Sequence, residues 1–247
     1  MPGYIIHLAE AKMIFDIFRK IDKNKKICSM EWLQKFSYGA LLPDAVYKEK
    51  KMHSHFWNKE KVACVIMVPQ VDLFLNKYNA SMDTPELLGY LAHLDLDLKF
   101  WNEYMKECVE FQDENMTVTN DIRMVKYVLI KKTEEIILTE VFFSNEYLYG
   151  DYTKLNKYLI DKYGLVIPRY DIKYRNIVQE VDNKDMERVL SKLKNYIAEE
   201  DSSSLKVFSK KSLETFMENA AQQFSKRYEV GQNQNERIIK ESTLVKN

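Results

Sequence analysis

The sequence predicts a mainly α protein, a multi-helix bundle with at most a small β hairpin. Only 6 glycines and 5 prolines occur in 247 residues, and so few breakers leave room for long regular elements, chiefly helices. Apolar residues recur at helical spacing near the start, at Ala11, Ile14, Phe15, Phe18 and Ile21. A stretch from Pro85 to about Phe111 reads as one long helix, apolar on more than one side. A helix buried on most faces belongs at the centre of a bundle.

In chain order, the first helix is expected over Leu8–Ile21, with His7 at its start or in its first turn, followed by a Lys- and Asn-rich loop at Asp22–Lys26. Ser29 is placed to cap a second helix from Met30 to about Tyr38, with Gly39 to end it and Pro43 beyond the break. Leu41–Met67 reads as irregular. Pro69 opens a short helix through Tyr78. Thr84 is the expected N-cap of the long helix, with Pro85 at its first position. Tyr127–Ile130 and Ile136–Leu138 are β-prone runs around Lys131–Glu135 and read as a short hairpin. Asp151 is the expected N-cap of a helix to Tyr163, closed by Gly164 and Pro168. Helices follow at Lys184–Ile197 and Lys210–Arg227, with the acidic-serine stretch Glu199–Ser204 between them. The organisation expected is one helical domain over residues 1–230, with a metal-site half (1–115), a helical cover half (116–230) and a polar, frayed C-terminal tail over 231–247.

Lysine plus arginine number 37 and aspartate plus glutamate 37. Without a basic surplus, sequence-independent nucleic-acid binding is not expected. Cys28, Cys64 and Cys108 are odd in number, widely spaced and lack a C-x-x-C pair, which speaks against a disulfide framework or thiolate zinc site. No run approaches the ~18 apolar residues of a membrane span, and the opening residues do not resemble a secretory leader. A cytoplasmic protein is expected.

All four histidines, His7, His53, His55 and His93, lie in the first 93 residues. Clustered imidazoles are what a metal site needs, since neutral imidazole is the commonest zinc ligand. His93 and Asp97 stand four apart, on one helix face, and can grip one ion. Asp95 points elsewhere, as an outer acceptor. Burying these polar groups in an apolar helix calls for a compensating partner, and a cation is one. Gly39-Ala-Leu-Leu-Pro43-Asp44 sets a carboxylate on a stiff corner. His53 and His55 alternate on what reads as an extended segment and would share a side. Removal of Met1 would leave the amine of Pro2 close to His7 as a nitrogen donor. Taken singly, each motif also fits a capping residue, a surface turn or a core histidine.

In order and spacing, MPGYIIHLAEA, GALLPDA, SHF and LGYLAHLDLD resemble the zinc-dependent phospholipase C superfamily, which includes single-strand-specific fungal nucleases and, more distantly, the glycosylphosphatidylinositol-specific phospholipase D. The resemblance covers roughly residues 1–110. It implies a helical fold of the phospholipase C and nuclease type around a zinc cluster. One ion would be held by Asp44, His55, His93 and Asp97; a second by the amine of Pro2, by His7 and by Asp97. Asp44 matches the water-activating carboxylate. The family's third ion needs two histidines and an acid further on, but no histidine follows His93, so one or two zinc ions are expected rather than three. The implied activity is hydrolysis of a small phosphoester or phospholipid head group, with peripheral membrane contact possible. The alternatives are a catalytically inactive metal-binding protein and a helical interaction protein. A histidine-aspartate phosphohydrolase needs an adjacent His-Asp pair, but Leu94 follows His93. Two further stretches read mainly as structural: Phe142–Tyr152 as core packing rather than a lipid-facing lip, and Lys48, Lys50 and Lys51 as a solvated loop rather than a phosphate site.

Overall fold

Helix α1 (Tyr4–Ile21) is buried almost all round in its first half, from Ile5 to Ala11, and only along one side later, at Ile14, Phe15 and Phe18. Its N-terminal half therefore lies inside the bundle, packed on α2 (Met30–Leu41), α5 (Pro85–Lys99), α8 (Leu148–Tyr163) and α10 (Lys210–Arg227). This computed structural model describes residues 2–21, 29–58, 64–78, 84–169, 177–182, 184–196 and 204–228. The expectations for Asp22–Lys26, for the tail over 231–247 and for all of Glu199–Ser204 but its last residue lie outside the described residues.

Local chemistry starts the helices where the sequence indicates. The Ser29 hydroxyl accepts from the Trp32 N–H at 3.0 Å, and Thr84 accepts from the Leu87 N–H at 3.4 Å with Pro85 in the first turn. These side-chain oxygens satisfy N–H groups that the helix itself cannot. Short helices α3 (Lys51–Ser54) and α4 (Val71–Tyr78) lie between α2 and α5; α4 starts two residues after Pro69.

Gly39 does not end α2. The helix continues to Leu41 and runs into a 3-10 turn over Leu42–Asp44. A Cβ on Gly39 would lie 1.9 Å from the Glu86 carbonyl oxygen, and one on Gly89 would lie 2.0 Å from that of Phe36. Each helix thus presents a glycine where the other's backbone crosses it. Gly39 serves close approach, not chain termination, because a missing side chain lets two backbones meet.

The long helix is also shorter than its pattern suggests. After α5 comes a π-helical turn over Phe100–Tyr104 and α6 (Met105–Cys108), but Val109–Gln112 is strand β1. It pairs antiparallel with β2 (Tyr127–Ile130), and β2 pairs with β3 (Glu135–Leu138), in registers Phe111↔Val128 and Val128↔Ile137. The hairpin stands where expected, and β1 joins it as a third strand. Cross-strand burial of Val109 and Phe111 against β2 outweighs the helical continuation, since local preference is a weak prior beside tertiary packing.

After α7 (Thr139–Phe142), helix α8 begins at Leu148, one turn before Asp151. Asp151 is therefore not its N-cap. Its buried carboxylate accepts from the Lys206 N–H at 2.9 Å, the Val207 N–H at 2.7 Å and the Phe208 N–H at 3.0 Å, which pins the segment leading into α10. Gly164 closes α8 with φ +58°, as a left-handed cap does. Helix α9 (Lys184–Tyr196) precedes α10. Phe142, Tyr147 and Tyr152 are buried and Tyr149 is half exposed, so most of the aromatic run packs in the core. Among the described residues no helix is long and apolar enough to cross a membrane.

Candidate metal centre

Four chain segments bring one side chain or more each to the same point. Helix α1 supplies His7 from its first turn. The Gly39–Gly89 crossing sets the end of α2 against α5, so that His93 Nδ1 lies 2.8 Å from the Ala40 carbonyl oxygen. Asp44 ends the 3-10 turn after α2. His55 follows α3, where Phe56 takes φ +53°, a left-handed conformation rare for a bulky residue, and turns the chain away. The Ser54 hydroxyl donates to the Pro43 carbonyl at 2.7 Å, and the Tyr90 hydroxyl donates to the Ser54 carbonyl. These bonds tie the His55 turn to the Asp44 corner and to α5.

His7, Asp44, His55, His93 and Asp97 are all 4% exposed or less. His55 Nε2 lies 3.4 Å from Asp44 Oδ1, 3.5 Å from Asp97 Oδ2 and 3.3 Å from His93 Nε2. His93 Nε2 lies 3.6 Å from Asp97 Oδ2, and His7 Nε2 lies 3.5 Å from Asp97 Oδ1. These spacings are long for hydrogen bonds. They match the edge of a tetrahedron of donors around zinc, about 3.4 Å for metal–nitrogen and metal–oxygen bonds near 2.1 Å.

Hydrogen bonding points the lone pairs inward. His55 Nδ1 lies 3.1 Å from the Lys51 carbonyl oxygen. In the neutral rings this contact, like that of His93 with Ala40, places the proton on Nδ1, because a carbonyl only accepts. Both Nε2 atoms are then left as bare acceptors aimed at each other and at two carboxylates. Backbone carbonyls commonly orient metal-binding imidazoles in this way. Neither ring nitrogen of His7 and neither oxygen of Asp97 has a hydrogen-bond partner among the described residues. Buried acceptors facing one another are costly, and a cation between them removes that cost. Two overlapping groups, His7 with Asp44 and His93, and His55 with His93 and Asp97, each bring ligand atoms within 4.8 Å of one another and could hold a metal ion.

Protonation suits this use at four of the five groups, and His93 would give up its proton on binding a cation. Burial, then the neighbouring His93, pushes the His7 imidazole down to about 4. Burial also lowers His55 against the pull of Asp44. Burial acts to raise Asp97, but His93 and His7 hold it well below the usual carboxylate range. Burial likewise opposes ionisation of Asp44, and the Lys51 ammonium, followed by His55, overrides it. At His93 burial lowers the value but Asp97 outweighs it, and the net shift is upward.

Compared with known proteins, the chain matches no family model, no curated protein and no solved structure.

Five of the six donors expected from the sequence converge. The sixth, Pro2, lies buried just ahead of α1. His53 does not join them. The segment before His55 is a helical turn rather than an extended one, so residues two apart diverge, and His53 faces solvent. Asp95 is not an outer acceptor for the centre's ligands: its Oδ2 lies 2.7 Å from Lys99 Nζ and its Oδ1 3.7 Å from Arg227.

Sequence reasoning missed Glu10, and its reading of Lys51 as part of a solvated loop is corrected by the structure, which pairs it with a buried carboxylate. Lys51 Nζ lies 2.6 Å from Asp44 Oδ1, a pairing across a turn that no spacing rule signals. Glu10 is 1% exposed, and its Oε1 has no hydrogen-bond partner among the described residues. Its signal was present, three residues after His7 on one face of α1. Burial, then the charge of Asp95, raises the Glu10 carboxyl well above its ordinary value of 4.5. The folded chain thus keeps a proton that the unfolded chain releases above pH 4.5, and stability falls as pH rises through that value. Glu10→Gln is expected to raise Tm at neutral pH, by about 2–4 °C per 1 kcal/mol recovered. The gain over the parent should vanish below about pH 4.5, which paired melts across pH 4–8 would check.

Proposed function

We propose that this chain is a zinc-dependent phosphoester hydrolase of the phospholipase C type. The observation that carries the proposal is the set of five buried donors from four segments, grouped in overlapping threes that could each hold an ion, with the Nε2 lone pairs of His55 and His93 turned inward. Three imidazoles and two carboxylates without a thiolate are a donor set that suits zinc. Asp44, His55, His93 and Asp97 would hold one ion. His7 and Asp97, with the amine of Pro2 that the family resemblance adds, would hold a second. Zinc in such a site supplies a water of near-neutral pKa and polarises a phosphoryl oxygen.

The chain's own groups prepare that chemistry. The Ala40 and Lys51 carbonyls fix the rings of His93 and His55, so little reorganisation accompanies loading. Asp97 touches three imidazoles and is the hinge of both ligand sets. Asp44 is the candidate catalytic carboxylate. Lys51 keeps it ionised, the form that can bind a metal ion or orient a water. The substrate class is a small phosphoester or a phospholipid head group.

Elemental analysis of protein purified without chelators or a metal-affinity tag tests this reading. One or two zinc ions per chain are expected, together with hydrolysis of bis(4-nitrophenyl) phosphate or release of phosphocholine from phosphatidylcholine. Chelation should stop turnover and lower Tm, in keeping with about 4 kcal/mol of ligand stabilisation at a thousandfold excess over Kd. Absence of retained metal, or full turnover after chelation, refutes it. A second reading, a metal site serving structure alone, is favoured by the near-complete burial of all five donors. It predicts retained zinc and the same fall in Tm with no turnover of either substrate.

A further inference from the structure

We propose that Lys51 anchors the phosphoryl anion of the substrate at the loaded centre. The proposal rests on the zinc hydrolase reading and follows from charge and position. The unloaded centre contains two carboxylates, Asp44 and Asp97, and one ammonium, Lys51 at 2.6 Å from Asp44 Oδ1. With the imidazoles neutral it carries one net negative charge. One divalent ion converts that to one net positive charge, and a second adds two more. Asp95, the next carboxylate along α5, does not correct the excess, since Lys99 and Arg227 already face it.

An uncompensated positive charge in a buried site is costly, and an anion relieves it. Lys51 is the group placed to receive that anion. Its side chain is 24% exposed while that of Asp44 is 4% exposed, so the lysine reaches solvent where Asp44 does not. Asp44, once shared with a divalent ion, holds Lys51 less strongly, and ion and ammonium repel each other. A phosphoryl oxygen binding both removes the repulsion. Lysine serves as a point-charge phosphate ligand on a flexible stem, able to swing from Asp44 to substrate. Lys48 and Lys50 lie exposed on the preceding turn and extend the positive field outward, with Glu49 between them. The ligand class is an anionic phosphoester.

The test uses the full zinc-loaded chain and inorganic phosphate as probe, read by titration calorimetry, with zinc content measured on the same samples. The parent should bind phosphate only when zinc-loaded. Lys51→Met should keep the parent's zinc stoichiometry and lose phosphate affinity at least tenfold, about the worth of one charge-assisted hydrogen bond. Lys51→Arg should restore most of it, which general destabilisation would not do. Equal phosphate affinity in zinc-loaded Lys51→Met overturns this inference and leaves the zinc site standing. Failure of the parent to retain zinc overturns both. Loss of zinc in Lys51→Met would make the lysine a structural support of Asp44 and equally overturn the anchoring role.

Discussion

Asp97→Asn is expected to abolish zinc retention while leaving the helices folded. Asp97 is the common element of the centre, with one oxygen 3.5 Å from His7 Nε2 and the other 3.5 Å from His55 Nε2 and 3.6 Å from His93 Nε2. Asparagine keeps the shape and removes the charge. Its NH2 can donate to an imidazole lone pair that now has no partner, so the unloaded fold loses little. The loaded state loses half of the centre's carboxylate charge and a ligand shared by both proposed ions. Removing even an orienting group behind a metal ligand typically costs 10–100-fold in affinity, and loss of a shared ligand should exceed that. Zinc content should fall to background, and chelator should no longer shift Tm. Parent-like zinc content with the parent's chelator-induced drop in Tm would show that these donors do not form a metal centre.

Gly89→Ala is expected to cause a large loss of stability for so small a substitution, and to disrupt the candidate metal centre. The added methyl would lie 2.0 Å from the Phe36 carbonyl oxygen and 2.9 Å from the Ala40 nitrogen. Both are backbone atoms of α2, so no side chain can swing aside and the helices must separate. Overpacking of this kind costs about 3 kcal/mol or more at its upper end, with Tm falling roughly 2–4 °C per 1 kcal/mol in a chain of this size. Separation also lengthens the 2.8 Å contact of His93 Nδ1 with the Ala40 carbonyl and draws Asp44 away from His93. Gly164→Ala is the control. It strains a residue at φ +58° but meets no atom within 4 Å, so about 1–2 kcal/mol is expected with zinc binding intact. Thermal melts and zinc content of the two variants separate crossing from backbone strain. A Gly89→Ala chain as stable and as zinc-competent as its parent would contradict the crossing.

Much of the scaffold was legible because capping and breaking are local. Ser29, Thr84 and Gly164 act through groups within a few residues of themselves, and the apolar stripe of α10 follows its own period. The five donors were legible as types, since imidazoles and carboxylates within apolar elements imply a partner. Asp151 was misread for the converse reason: a carboxylate near a helix start suggests an N-cap, but its amide partners lie at Lys206–Phe208, far along the chain. The end of the long helix was misread because Val109–Gln112 suits either conformation locally, and pairing with Tyr127–Ile130 decided it.

By itself the sequence determined which residues share a helix face, where most helices start, and which side chains can bind a metal, because these follow from spacing and chemical type. Only the tertiary structure decided that Gly39 and Gly89 admit one backbone to another, that Lys51 meets Asp44, that His53 turns outward while His55 turns in, and that Glu10 is enclosed with Asp95 nearby. Those outcomes depend on which faces of distant segments meet. That choice is made by the summed packing of the whole chain, and no local window of residues contains it.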